Sequence, residues 1–113
     1  MAIVALTVQQ AARTSNGINI TDNDTAATSG NSYTFANNGR VLLYVQNASG
    51  SGLTLTVATP NTVDGLALAD LTATVATAKD HIIGPFPPGV YNDGSGLVSV
   101  TVNQSVTIMA IRL

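Results

Sequence analysis

From Val41 onward, apolar and polar residues alternate in short runs separated by Gly, Asn, Ser and Pro. Leu53-Thr54-Leu55-Thr56-Val57 puts Leu53, Leu55 and Val57 on one face, the period-two pattern of a half-buried strand. Leu71-Thr72-Ala73-Thr74-Val75 repeats it. The eight residues from Leu53 (LTLTVATP) and from Leu71 (LTATVATA) match at six positions. Two copies are too few for a solenoid. They are either a duplicated hairpin unit or, as the small alphabet favours, two half-buried strands of like composition. Val41-Leu42-Leu43-Tyr44-Val45 follows the turn residues Asn37-Asn38-Gly39, and Ala48-Ser49-Gly50-Ser51-Gly52 separates it from Leu53. Two strands around a five-residue, Gly-bearing loop predict a hairpin of 41–45 with 53–57.

Ile82-Ile83 leads into Gly84-Pro85-Phe86-Pro87-Pro88-Gly89. Proline fixes φ, removes a backbone donor and pushes the preceding residue to an extended shape, so this block predicts a rigid corner between strands. After Val90-Tyr91-Asn92 come the turn Asp93-Gly94-Ser95-Gly96, a strand from Leu97 to Val102, a short turn at Asn103-Gln104, and a last strand from Ser105 to Leu113. That strand carries Val106, Ile108 and Ala110 on one side and Met109, Ile111 and Leu113 on the other. A strand apolar on both faces is buried on both, so it is either central in the domain or packed at a subunit contact.

The N-terminal third has weaker periodicity. Ile3 to Val8, Ile18-Asn19-Ile20 and Tyr33-Thr34-Phe35 read as strands, Thr21 to Asn31 as a polar loop, and Gln9 to Arg13 as one helical turn. Short strands with turn signals about every eight to twelve residues predict an all-β fold. The expectation is a single domain over 1–113, a small β-sandwich or barrel (jelly-roll-like) of short antiparallel strands, with 1–36 a less regular N-terminal arm.

Charge is sparse. Asp, Glu, Lys and Arg make up 9% of the 113 residues, against about 25% in typical soluble domains, and Glu is absent. Strand edges are normally guarded by charge, especially Lys, and the chain has one, Lys79. Its edges must therefore close on themselves or be covered by partners. The net charge is −2 with no basic cluster, which argues against nucleic-acid binding. The chain lacks the Lys/Arg excess that draws proteins to anionic lipid and has no run long enough for a membrane-spanning helix, so no membrane partner is expected. Cysteine is absent, and the start of the chain has no positive region of the signal-peptide kind.

Candidate chemistry is thin. His81 stands beside Asp80, but neighbouring strand residues point to opposite faces, and no Gly-x-Ser-x-Gly elbow is present. No catalytic residue is assigned and the chain is not expected to be an enzyme. Thr21-Asp22-Asn23-Asp24-Thr25 offers oxygen ligands to Ca²⁺ but lacks the Gly and Glu of an EF-hand loop; an Asx-turn loop is the plainer reading. Zinc needs Cys or several His. No cofactor or metal is expected. Pro85-Phe86-Pro87-Pro88 matches a minimal Pro-x-x-Pro ligand, but without flanking basic residues it reads as a structural corner. With no Trp and only Tyr33, Tyr44 and Tyr91, platforms for sugar stacking are few.

The stretch from Asn37 to Val102 resembles the small capsid decoration (cement) proteins of tailed bacteriophages. The resemblance is carried by Asn38-Gly39-Arg40 before an apolar strand, by Thr59-Pro60-Asn61-Thr62-Val63-Asp64-Gly65-Leu66-Ala67, and most specifically by Ile83-Gly84-Pro85-Phe86-Pro87-Pro88 with Val90-Tyr91-Asn92 after it. It implies a virion structural protein, made in the host cytoplasm, that binds the major capsid protein on the outer capsid surface, associates with itself as a homotrimer and reinforces the shell. A glycan-binding or fibre-type β-module on a virion or cell surface is the alternative. Two candidate contacts stand out. Ile3, Val4 and Leu6 are apolar near a chain end and suited to pairing with a partner's sheet edge, the plainer reading being an ordinary edge strand. Pro87 and Pro88 form the second, the plainer reading being a simple turn.

Overall fold

The β-branched and aliphatic residues of the alternating runs form twelve strands, in a computed structural model that describes residues 2–11, 13 and 17–113. In chain order these are β1 (Ile3–Ala5), β2 (Gln9–Gln10), the helical turn α1 (Ile20–Asn23), β3 (Thr25–Ala27), β4 (Ser32–Ala36), β5 (Val41–Asn47), β6 (Leu53–Val57), β7 (Thr62–Val63), β8 (Leu66–Ala67), β9 (Leu71–Val75), β10 (Lys79–Ile83), the helical turn α2 (Pro88–Tyr91), β11 (Leu97–Val102) and β12 (Val106–Arg112). One sheet has the order β1-β4-β11-β6-β9. The other runs β10-β5-β12-β2, with β3 pairing the same side of the sheet at the opposite end of β12. Among the described residues, the strands β7 and β8 pair only with each other.

The two large sheets pack face to face as an all-β sandwich. Leu43 and Val45 of β5 and Ile108 and Ala110 of β12 come from one sheet; Leu53, Leu55 and Val57 of β6 and Val98 and Val100 of β11 come from the other; all are fully buried in one core. Phe35, Phe86 and the half-buried Tyr91 close one end of it, with Phe86 tilted against Phe35 (centroids 5.9 Å) and edge-on to Tyr91 (5.4 Å).

The expected hairpin of 41–45 with 53–57 does not form. β5 lies between β10 and β12, while β6 lies between β11 and β9 in the other sheet. A five-residue loop reaches up to about 17 Å, so it spans the roughly 10 Å between sheets as readily as the roughly 5 Å between strands. The buried Asn47 directs this loop across: its Nδ2 donates to Ser51 O and Val75 O (both 2.9 Å), and its Oδ1 accepts from the Ser49 N–H (3.1 Å). The two similar segments turn out to pair with each other. β6 and β9 are antiparallel neighbours, with Leu53 opposite Val75 and Val57 opposite Leu71.

The last strand is central in its sheet: Met109 is buried on the face of β12 away from the main core, opposite Tyr44, and Leu113 is exposed at the end. The body of each sheet is antiparallel, as expected. The N-terminal segment adds two parallel pairings, β1 with β4 and β2 with β12, and so passes from one sheet to the other along one side of the sandwich. The tight turn from β9 to β10 crosses the opposite side, tied by Ala78 N–H to Asn47 O (2.8 Å).

Three local expectations in this segment are corrected. Gln9-Gln10 is extended rather than helical (Ala12 of the expected helical turn lies outside the described residues), because its backbone finds β12 as a partner. Ile18-Asn19-Ile20 is not a strand: the Asn19 side chain caps α1 by accepting from the Asp22 N–H (3.2 Å), and capping by Asn outweighs the β preference of isoleucine. Thr25–Ala27, within the expected polar loop, pairs with β12.

Candidate interaction surface

The two ends of the sandwich differ. At one, the chain between β6 and β9 leaves the sheet and forms the small hairpin β7–β8. Asp64 and Gly65 have φ of 53° and 77°, the double positive φ of a two-residue type I′ turn, where glycine carries no Cβ penalty. Every residue from Thr62 to Ala67 is exposed. Val63 and Leu66 sit opposite each other at 55% and 70% exposure, two aliphatic side chains in water on one small ribbon.

An isolated two-stranded hairpin is marginal in water, so this one depends on its base. The Thr59 N–H donates to the Asp70 carboxylate (3.0 Å), and the Thr59 hydroxyl shares its one proton between Leu68 O (2.9 Å) and the same carboxylate (3.1 Å). Asn61 Nδ2 donates to Asn92 O (2.8 Å). Asn92 is in turn held by the buried Asn37. Asn37 Nδ2 donates to Asn92 Oδ1 and to Phe86 O (both 2.8 Å), and Asn92 Nδ2 donates back to Asn37 O (2.8 Å). The arm thus springs from a hydrogen-bonded platform that also fixes the proline corner.

Pro87 and Pro88 are exposed at that same end. Pro88 starts α2, where its missing N–H costs nothing, and its ring lies beside Gly39. The N-terminal candidates are elsewhere. Ile3 pairs with Ser32 at the start of β4, whereas Asn37, bonded to Phe86, follows the end of β4, so roughly 15 Å of strand separates Ile3 from the proline corner. Ile3 is 73% exposed, but Val4 packs against the core, and Leu6 is buried in it with its N–H on Thr34 O (2.7 Å). The Leu6 side chain is core and is withdrawn as a contact residue. Of the candidates, the structure brings together only Pro87 and Pro88, and it adds Val63 and Leu66, which the sequence reading missed. Their signal was Asp64-Gly65 flanked by β-formers, the strongest short-range hairpin pattern.

Among the described residues the other end carries no such arm. There Ala26, Ala27, Val106 and the loop after β5 border a groove of about 540 Å³. The other candidate groups are distributed as follows. The Tyr44 hydroxyl donates to the Asp80 carboxylate (3.0 Å); burial, then Asp80 and the charge of Asp24, push that hydroxyl above its ordinary value. His81 pairs with Val45 on the opposite face of the sheet from this contact. Burial pushes the Tyr33 hydroxyl up, but hydrogen bonds from Thr28 and Asn31 outweigh it and hold the group below its ordinary value. Asp22 is engaged by Asn19 Nδ2 (2.8 Å), and among the described residues no three His, Cys, Asp or Glu side chains cluster as metal ligands would. Tyr33 is buried and Tyr44 and Tyr91 half-buried, so sugar stacking would have to use partly covered rings. No protein-family model, curated protein or solved structure matches the chain.

Proposed function

We propose that this protein is a virion structural subunit that binds the major capsid protein on the outer surface of a tailed-phage capsid and reinforces the shell. The observation that supports this reading is the β7–β8 arm, an exposed aliphatic pair on a hydrogen-bonded base. An arm held at its base loses less conformational freedom on docking than a free loop would, so more of its contact energy remains as affinity. Sparse charge acts in the same direction, because few ionised groups must be desolvated when the surface is covered. The resemblance of residues 37–102 to decoration proteins names the partner class, and its pieces at 59–67 and 83–92 are the arm and the proline corner.

The test is co-sedimentation of the purified protein with shells assembled from the major capsid protein of the parent virus. Saturable binding, weakened at least tenfold by Val63→Asp with Leu66→Asp, supports the reading. A protein that stays in the supernatant at every ratio rejects it, and undiminished binding by the double variant rejects the arm as the contact.

A further inference from the structure

The free edges of the sandwich are not protected alike. Among the described residues, β1, β2 and β3 are edges of two or three residues. Edges so short offer little for a partner to add to. The strand β10 is five residues long but carries Lys79, Asp80 and His81. The strand β9 is also five residues long and, among the described residues, pairs on one side only, with β6. It has no charge, no proline and no glycine, none of the devices that keep an edge from pairing.

Its sequence is also complementary to itself. Turned antiparallel about Ala73, a second LTATV strand sets Leu71 opposite Val75, Thr72 opposite Thr74, and Ala73 opposite Ala73. The Leu–Val and Thr–Thr pairs are those that β9 already makes with LTLTV of β6: Leu53 with Val75, Thr54 with Thr74, Thr56 with Thr72, Val57 with Leu71. The inner edge of β9 therefore demonstrates the pairing that its outer edge offers. Burial points the same way. Leu55 and Val57 of β6, flanked on both sides, are fully buried, whereas Ala73 and Leu71 on the same face of β9 are only half-buried. A strand added at this edge completes their cover.

We propose that two copies of this chain associate through β9, antiparallel across a twofold axis at Ala73, joining two five-stranded sheets into one of ten. The pairing does not depend on docking to a shell. It differs from the homotrimer that the phage resemblance implies, and solution mass separates the two.

Light scattering on the purified chain across micromolar concentrations reads a dimer. Thr72→Lys with Thr74→Lys, both at exposed positions, sets like charges opposite each other twice in the pair and shifts its dissociation at least tenfold toward monomer. Thr72→Lys with Thr74→Asp makes the same two contacts attractive and keeps the dimer. Should the double lysine variant fail to fold, Ala73→Cys reads the same axis. Opposed residues in an antiparallel pair lie about 5 Å apart, within disulfide range, and the chain has no other cysteine. Oxidation then gives a covalent dimer, while Asp80→Cys on the neighbouring edge does not. A monomer at all concentrations, a trimer, a dimer indifferent to both pairs of charges, or Ala73→Cys chains that do not cross-link would each overturn the proposal.

Discussion

Each end of the sandwich is organised by one buried asparagine, but the two do different work. Asn47, fully buried, belongs to β5 and bonds to the backbones of the loop at 49–51 and of β9, so it ties one sheet directly to the other. Its own carbonyl accepts from Ala78, and Gln104 adds a bond to Ser51 O (2.7 Å). Short loops close this end. Asn37, 8% exposed, works through a chain of side chains: it holds Phe86 O and Asn92, and Asn92 O holds Asn61 beside the arm. A direct clasp makes a closed end. A relayed one leaves room for an insertion of thirteen residues, 58–70, that can be shaped by function without disturbing the core.

The comparison breaks most visibly at Asn47. Asn47→Ala removes a donor from the buried Val75 carbonyl and the acceptor of the Ser49 N–H, while Gln104 still holds the Ser51 carbonyl, and should cost about 2–4 kcal/mol in urea unfolding, since a buried group left unpaired loses about 1–3 kcal/mol. Asn37→Ala should cost less, about 1–3 kcal/mol, because Asn37 is 8% exposed where Asn47 is fully buried, so water reaches more readily the groups it leaves. Equal losses would remove the distinction between clasp and relay. Gly84→Ala tests the proline corner at the relayed end. Gly84 has φ of +126°, and a Cβ there would lie 3.2 Å from Leu42, Phe86 and the Val41 carbonyl, so a loss of about 2 kcal/mol is expected. The arm should behave oppositely: Val63→Asp with Leu66→Asp sets two like charges across a hairpin that lies outside the core, and changes global stability by less than about 1 kcal/mol while weakening shell binding at least tenfold. A large drop in Tm would mean that the arm is structural.

The smallest effect belongs to Tyr44. Its hydroxyl is held above the ordinary value of 10.0, so the folded protein keeps a proton that the unfolded chain releases first. The stability this contributes is fully present below pH 10 and lost as pH rises through the raised value. Tyr44→Phe should therefore flatten the alkaline limb of the stability–pH curve, and an unchanged limb would assign that loss to other groups.

Much of the fold was legible. The strands at 53–57, 71–75 and 97–102 begin and end where the alternation does, and the buried face of each is the one their aliphatic residues mark. In the N-terminal third, β4 was legible at Tyr33-Thr34-Phe35 and β1 within Ile3 to Val8, but β2 and β3 were not, because they are two and three residues long and exist only where β12 offers unpaired backbone. Of the candidate surface, Pro87 and Pro88 were legible as a rigid corner. Leu6 was misjudged, since an apolar residue near a chain end reads the same whether it meets a partner or its own core. Val63 and Leu66 had a turn signal on their side, but nothing local says whether a hairpin joins a sheet or stands free of it.

The sequence by itself determined the all-β class, the inward face of the strands at 53–57, 71–75 and 97–102 and the scarcity of charge along the chain, because side-chain direction and composition are local properties. Tertiary structure alone decided which strands are neighbours. It sent 41–47 and 53–57 to opposite sheets, brought the two LT repeats side by side, divided the N-terminal segment between both sheets and, among the described residues, left the β7–β8 arm and the long uncharged edge of β9 outside. A loop of five residues reaches a neighbouring strand and an opposing sheet alike, so the choice falls to hydrogen bonds and packing between residues far apart in the chain.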